Sequence, residues 1–185
     1  GMVSVQKTLV AGSARVGERG AAQFLKHRPH LESGLFAHEL AHQYWGHVAR
    51  PANTEDFWIA ETFAESYACM YVAAGFKPKD CEVRQKQNRR LWERAYRNKT
   101  HFRASLTDAY RSLYQPEIVY QYGPYVMNEM LRRRLSKEAY FGALDRIVSA
   151  ANGDFVTTEQ LQAALEKSSK KDLQDFFDFW VHLGM

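Results

Sequence analysis

The pentapeptide "HELAH" at residues 38–42 constrains the fold more than any other feature of the chain. His38 and His42 are four apart, so on a helix they stand one above the other on one face, with ring nitrogens able to converge on one ion. Glu39 lies between them at the edge of that face. This is the H-E-x-x-H spacing, in which two neutral imidazoles bind zinc and the glutamate takes a proton from a zinc-held water. A hydrolytic zinc site uses three protein ligands and keeps a fourth position open. A third protein ligand is therefore to be looked for.

Two residues compete for that place. His47 is five residues past His42, about 500° around a helix, and so points well away from the ligand face. The metzincin pattern needs a glycine and a histidine three and six residues after His42, where Trp45 and Val48 stand. Glu61 follows His42 after eighteen intervening residues. A first helix over 35–49 rises roughly 12 Å from His42 to Arg50, and a second descends roughly 10.5 Å from Thr54 to Glu61. A short turn at "PANT" then returns Glu61 to the level of His42. In an antiparallel pair Glu65 comes one turn further, beside His38, where it can accept the free ring N–H of that histidine. His38, His42 and Glu61 are the expected ligands of one Zn2+, Glu39 the expected base, and Glu65 the expected partner of His38.

The rest of the chain reads as mainly α with one core. Its 185 residues, 45% of them hydrophobic, fall in the globular range. Val3, Val5 and Leu9 suggest a short strand, followed by glycine-rich turn material. Asn53 or Thr54 caps the second helix and Gly75 stops it. A charged third helix starting near Lys79 offers a narrow apolar stripe of Val83, Leu91, Trp92 and Ala95. A helix entered through Pro116 is perturbed at Gly123-Pro124. The next is stopped at Asn152-Gly153, and another opens with a capping box from Thr157 to Gln160. The last places Leu173, Phe176, Phe177, Trp180 and Val181 on one face, with Phe179 also read as core.

Charge and cysteine content narrow the function classes. The 25 basic and 21 acidic residues leave a mild excess of +4 with no one-sign block, so nucleic acid is not suggested. Arg132 to Arg134 read as a solvated helix flank. No stretch of about 18 apolar residues is present, so no membrane span is expected. Cys69 and Cys81 give no framework of bridges and read as two buried thiols. His27, His30, His101 and His182 have no paired spacing. Gly1 ahead of Met2 reads as a cloning remnant, so upstream domains and a lost signal are expected possibilities, with the cytoplasm as the default compartment.

"HELAHQYWGH" followed by "FWIAETFAESYACMY" resembles the gluzincin zinc aminopeptidase family, whose text runs close to HELAHQWFGN and WLNEGFAEY. The resemblance implies the helical part of a thermolysin-like catalytic domain, with a short N-terminal β element. It carries His38, His42 and Glu61 over as zinc ligands and Glu39 as general base. It also aligns "YQYGPYVMNEMLRRRLS" with the family's Y-x-K-G segment, which makes Tyr120 the counterpart of a tyrosine that stabilises the oxyanion. The final segment resembles the end of bacterial members, so the likeness covers about residues 35–185. Ala60, His47 and Tyr122 depart from the family text, and the G-x-M-E-N segment that holds a substrate's free amine is not matched by "VGERGAAQF", although Glu18 lies there.

The expectation is a single catalytic-domain portion, with 1–34 as a β and loop segment, 35–115 as the zinc-bearing helices and 116–185 as a helical lobe. Its implied activity is zinc-dependent hydrolysis of peptide bonds, aminopeptidase-like, on peptide or protein substrates. A zinc-retaining binding module with altered catalysis stands as one alternative. A non-peptide hydrolase of the same family, acting on an epoxide, stands as another.

Overall fold

The computed structural model describes residues 29–75, 78–98, 105–110 and 118–183. The chain is mainly helical. In order it forms α1 (Pro29–Ala41), β1 (Arg50–Pro51), α2 (Phe57–Gly75), α3 (Pro78–Asn98), α4 (118–134), α5 (Lys137–Ala151), β2 (Phe155–Val156), α6 (Thr158–Ser169) and α7 (174–183). The strand expected around Val3 to Leu9, and Glu18, lie outside the described residues.

α1 ends eight residues before the expected Ala49. Past Ala41 the backbone opens into wide turns, with the amides of His47, Val48 and Ala49 donating to the carbonyls of His42, Gln43 and Tyr44. Gly46 sits at φ +129°, a conformation that no helix contains and that favours glycine. Burial explains the break. It turns Trp45 inward, fully buried and stacked on Phe63 of α2 with ring centroids 4.4 Å apart. His42 still belongs to the last helical turn, because its amide donates to the His38 carbonyl at 3.2 Å. The i, i+4 relation of the two histidines therefore survives the shorter helix.

The link from α1 to α2 is tied to the far end of the chain. β1 pairs in parallel with β2, Arg50 opposite Phe155 and Pro51 opposite Val156. Asn53 caps the 3-10 turn Thr54–Asp56 by accepting from the Glu55 amide at 2.8 Å. Asp56 is buried and accepts from the amide and hydroxyl of Thr158 at 2.7 and 2.8 Å, while Trp58 Nε1 donates to that hydroxyl at 3.0 Å. The start of α2 is thus fastened to the start of α6.

α3 presents a different face to the core than the expected stripe. Val83 and Leu91 are about half exposed, whereas Cys81 and Asn88 are buried; Trp92 and Ala95 have side chains outside the described set. The cysteines are not separate thiols: Cys69 of α2 and Cys81 of α3 form a disulfide, their Cα atoms 5.1 Å apart, well inside the span such a bond requires. That cross-link and the polar contacts beside it choose the face. Hydropathy alone chose another.

Elsewhere the local signals hold. α4 runs through Gly123-Pro124 with π-helical winding on both sides, over Ile118–Tyr122 and Tyr125–Leu131, a wider turn that accommodates the proline's missing donor. A Cβ at Gly123 would overlap the Thr62 side chain, so glycine lets α4 close onto α2. Ser136 caps α5, which ends at Asn152 in the left-handed region with φ 44°. Thr157 and Gln160 form the capping box of α6. Leu173, Phe176, Phe177 and Val181 are buried, but Phe179 is 40% exposed and does not belong to the core, because α7 turns only one face inward. Arg133 and Arg134 are exposed at the end of α4, Arg133 paired with Glu129.

Candidate metal centre

The pairing of α1 with α2 places ligating atoms from both helices around one point. His38 Nε2 and His42 Nε2 are 3.0 Å apart, and Glu61 Oε2 lies 3.3 Å from the first and 3.5 Å from the second. Ligands at about 2.1 Å from a tetrahedral zinc stand about 3.4 Å from one another. The three distances bracket that edge length. Among the described residues these three form the one group of His, Cys, Asp and Glu side chains able to hold a metal ion.

The acceptors facing the outer ring nitrogens set the tautomers. His42 Nδ1–H donates to the Trp45 carbonyl at 2.9 Å. His38 Nδ1 faces Glu65 Oε2 at 3.3 Å, and a carboxylate can only accept. Both Nε2 atoms of the neutral rings then present lone pairs to each other and to Glu61 Oε2, itself buried without a hydrogen-bond donor. Three electron-rich atoms facing one another without a cation repel. A proton or a metal ion must sit among them, and the donor set suits zinc.

The electrostatics report the same demand. Burial lowers the His38 imidazole, but the Glu61 and Glu65 carboxylates outweigh it and raise it to about 9. His42 is raised too, burial being overcome by Glu61 and the Trp45 carbonyl. Burial raises the Glu61 carboxyl, yet the two histidines and a hydrogen bond from Tyr120 hold it well below the usual carboxylate range.

Tyr120, on α4, reaches the same cluster, its ring centroid 5.7 Å from that of His38 and its hydroxyl bonded to Glu61. Glu39 is half-buried on α1 next to the cluster in sequence. His47 is exposed and outside the metal-ligating group, though for a different reason than helical rotation, since the chain around it is not helical. Tyr122 is buried and its hydroxyl donates to the Trp180 carbonyl at 2.8 Å rather than to the His38, His42 and Glu61 group. Its substitution for the family's lysine thus fastens α7 to α4. Sequence reasoning missed Arg84 of α3, whose guanidinium lies 2.7 Å from Glu65 Oε1. The two cysteines carried the signal, because pairing them sets Arg84 opposite Glu65.

Comparison with known proteins bears on the whole arrangement. Residues 26–180 match the Peptidase family M1 domain. The chain is 30% identical over 156 residues to Aminopeptidase N of Lactococcus lactis subsp. lactis, an overlap of 80% of this chain and 18% of that protein. It is 29% identical over 157 residues to Aminopeptidase N of Lactococcus lactis subsp. cremoris, with the same two shares. The chain therefore spans about a fifth of the length of the curated relatives it matches. No solved structure matches it significantly. No described helix is long and apolar enough to cross a membrane. With the family match running through most of its length, the chain belongs to peptidase family M1, of whose domain it is a mainly helical portion.

Proposed function

We propose that this chain carries the zinc centre of a metallopeptidase that hydrolyses peptide bonds, with His38, His42 and Glu61 holding the ion. The observation that carries this reading is the spacing of the three ligating atoms, 3.0 to 3.5 Å apart, with a backbone carbonyl on the outer nitrogen of His42 and a carboxylate facing that of His38. A zinc ion bound there supplies Lewis acidity, polarising a scissile carbonyl and making an attacking water acidic near neutral pH.

The remaining steps belong to the side chains. Glu39 takes the proton of the attacking water and passes it to the leaving amine. The Tyr120 phenol, which donates to Glu61 in the substrate-free chain, turns its proton toward the carbonyl oxygen as negative charge develops there. Glu65 holds the Nδ1 proton of His38 and with it the ring orientation. The names of the Lactococcus relatives favour removal of amino-terminal residues as the finer activity, on peptides or proteins, within a longer polypeptide.

Glu39→Gln tests the mechanism. Zinc content measured by elemental analysis should match the parent, while hydrolysis of a chromogenic amino-acid amide falls by about 10²- to 10⁴-fold, the usual contribution of a general base. A variant that keeps its zinc and cleaves as fast as the parent removes Glu39 from the chemistry. A longer polypeptide carrying this chain that binds zinc and cleaves nothing identifies a zinc-retaining module instead.

A further inference from the structure

α2 and α3 run antiparallel, and two cross-links join them one turn apart. One is the Cys69–Cys81 disulfide. Four residues back along α2 stands Glu65, and three residues on along α3 stands Arg84, paired at 2.7 Å through Glu65 Oε1. The other carboxylate oxygen, Oε2, faces His38 Nδ1 at 3.3 Å. The Glu65 side chain is 7% exposed, with a partner within ion-pair distance of each oxygen.

Two grips differ from one. The terminal torsion of a glutamate is broad, so a carboxylate held at a single oxygen still pivots. Held at both, its plane is set, and so is the angle at which His38 directs Nε2 into the centre. The guanidinium also offsets the charge of a carboxylate taken out of water. Its own hold is a matter of register: one helical turn of slippage, about 5.4 Å, would carry Arg84 out of reach, and the disulfide three residues away forbids that slippage.

We propose that Arg84, kept in register by the Cys69–Cys81 disulfide, is a positioning residue of the metal centre that fixes the Glu65 carboxylate orienting His38. The inference rests on the zinc-centre reading above and adds to it a link that reaches a third helix.

The test is the zinc affinity of the whole chain, titrated with zinc alone against a chromophoric chelator, with helicity followed by far-UV circular dichroism. Glu65→Gln should weaken zinc binding about 10- to 100-fold, the range for partners of a ligand histidine. Arg84→Met should weaken it roughly threefold to tenfold, between an exposed ion pair and such a partner, and Arg84→Lys should recover most of the loss. In a Glu65→Gln background Arg84→Met should add nothing, because the arginine acts through that carboxylate. Replacing both cysteines by alanine should lower affinity by a similar factor, and no further when Arg84 is already methionine. Equal losses from Arg84→Met in both backgrounds, or none in the parent at unchanged helicity, overturn the proposal. A parent that binds no zinc overturns the metal-centre reading and this inference together, whereas tight zinc binding indifferent to Arg84 overturns the inference alone. Should the cysteine variant fail to fold, the methionine and lysine variants at Arg84 still decide.

Discussion

The seam between α1 and α2 and the lobe formed by α5, α6 and α7 are stabilised in opposite ways. The lobe is held by local caps and an apolar interior: Ser136 and Thr157 start its helices, and Tyr140, Leu144, Leu161 and Phe177 are fully buried within it. The seam buries His38 and Glu65 and half-buries His42 and Glu61, groups that leave three electron-rich atoms in mutual contact. Buried apolar surface stabilises whatever the solution contains. A cluster of ligating atoms stabilises only when a cation joins it.

That contrast can be broken at either end. The largest effect belongs to the lobe: Phe177→Ala should destabilise the chain by about 3–5 kcal/mol in urea unfolding, as large-to-small core changes do, with zinc affinity unchanged. Next comes the seam. Zinc at about 100 times its Kd should raise the unfolding free energy of the parent by about 2.7 kcal/mol, and the same concentration should do little for Glu61→Gln. A parent whose thermal transition ignores zinc would place the two regions in the same class after all. Gly123→Ala, which sets a methyl against Thr62 where α4 meets α2, should cost about 1–3 kcal/mol of stability by overpacking. It should also slow peptide hydrolysis, since Tyr120 rides on the same helix. The smallest effect is Thr157→Ala, about 1 kcal/mol from the lost cap of α6, seen as a lowered melting temperature with metal affinity intact.

The two regions also differed in how legible they were. The caps and stops of the lobe are local: Thr157 with Gln160, and Asn152 with Gly153, act on backbone groups within four residues, so their identity suffices. His38 and His42 were legible for the same reason, one turn apart on one helix. Glu61 and Glu65 required only the further assumption that the chain doubles back. The route it takes was misread, because a helix to Ala49 and a segment that breaks to bury Trp45 against Phe63 differ by contacts between residues far apart in sequence. The face of α3 was misread on the same ground, its apolar stripe being narrow and its inward side chosen by Cys81 and by Arg84 meeting Glu65.

A mainly helical chain with an H-E-x-x-H turn and a returning glutamate can be read from the residues alone, since helical periodicity, capping and ligand spacing depend on residues a few positions apart. Where α1 ends, that Cys69 and Cys81 are joined, that the Tyr122 hydroxyl bonds the Trp180 carbonyl, and that Arg84 stands behind Glu65 became visible only in the folded chain. Each of these turns on a partner that the chain reaches only by folding. The cost of burying a charge or leaving a donor unpaired cannot be assigned until that partner is in place.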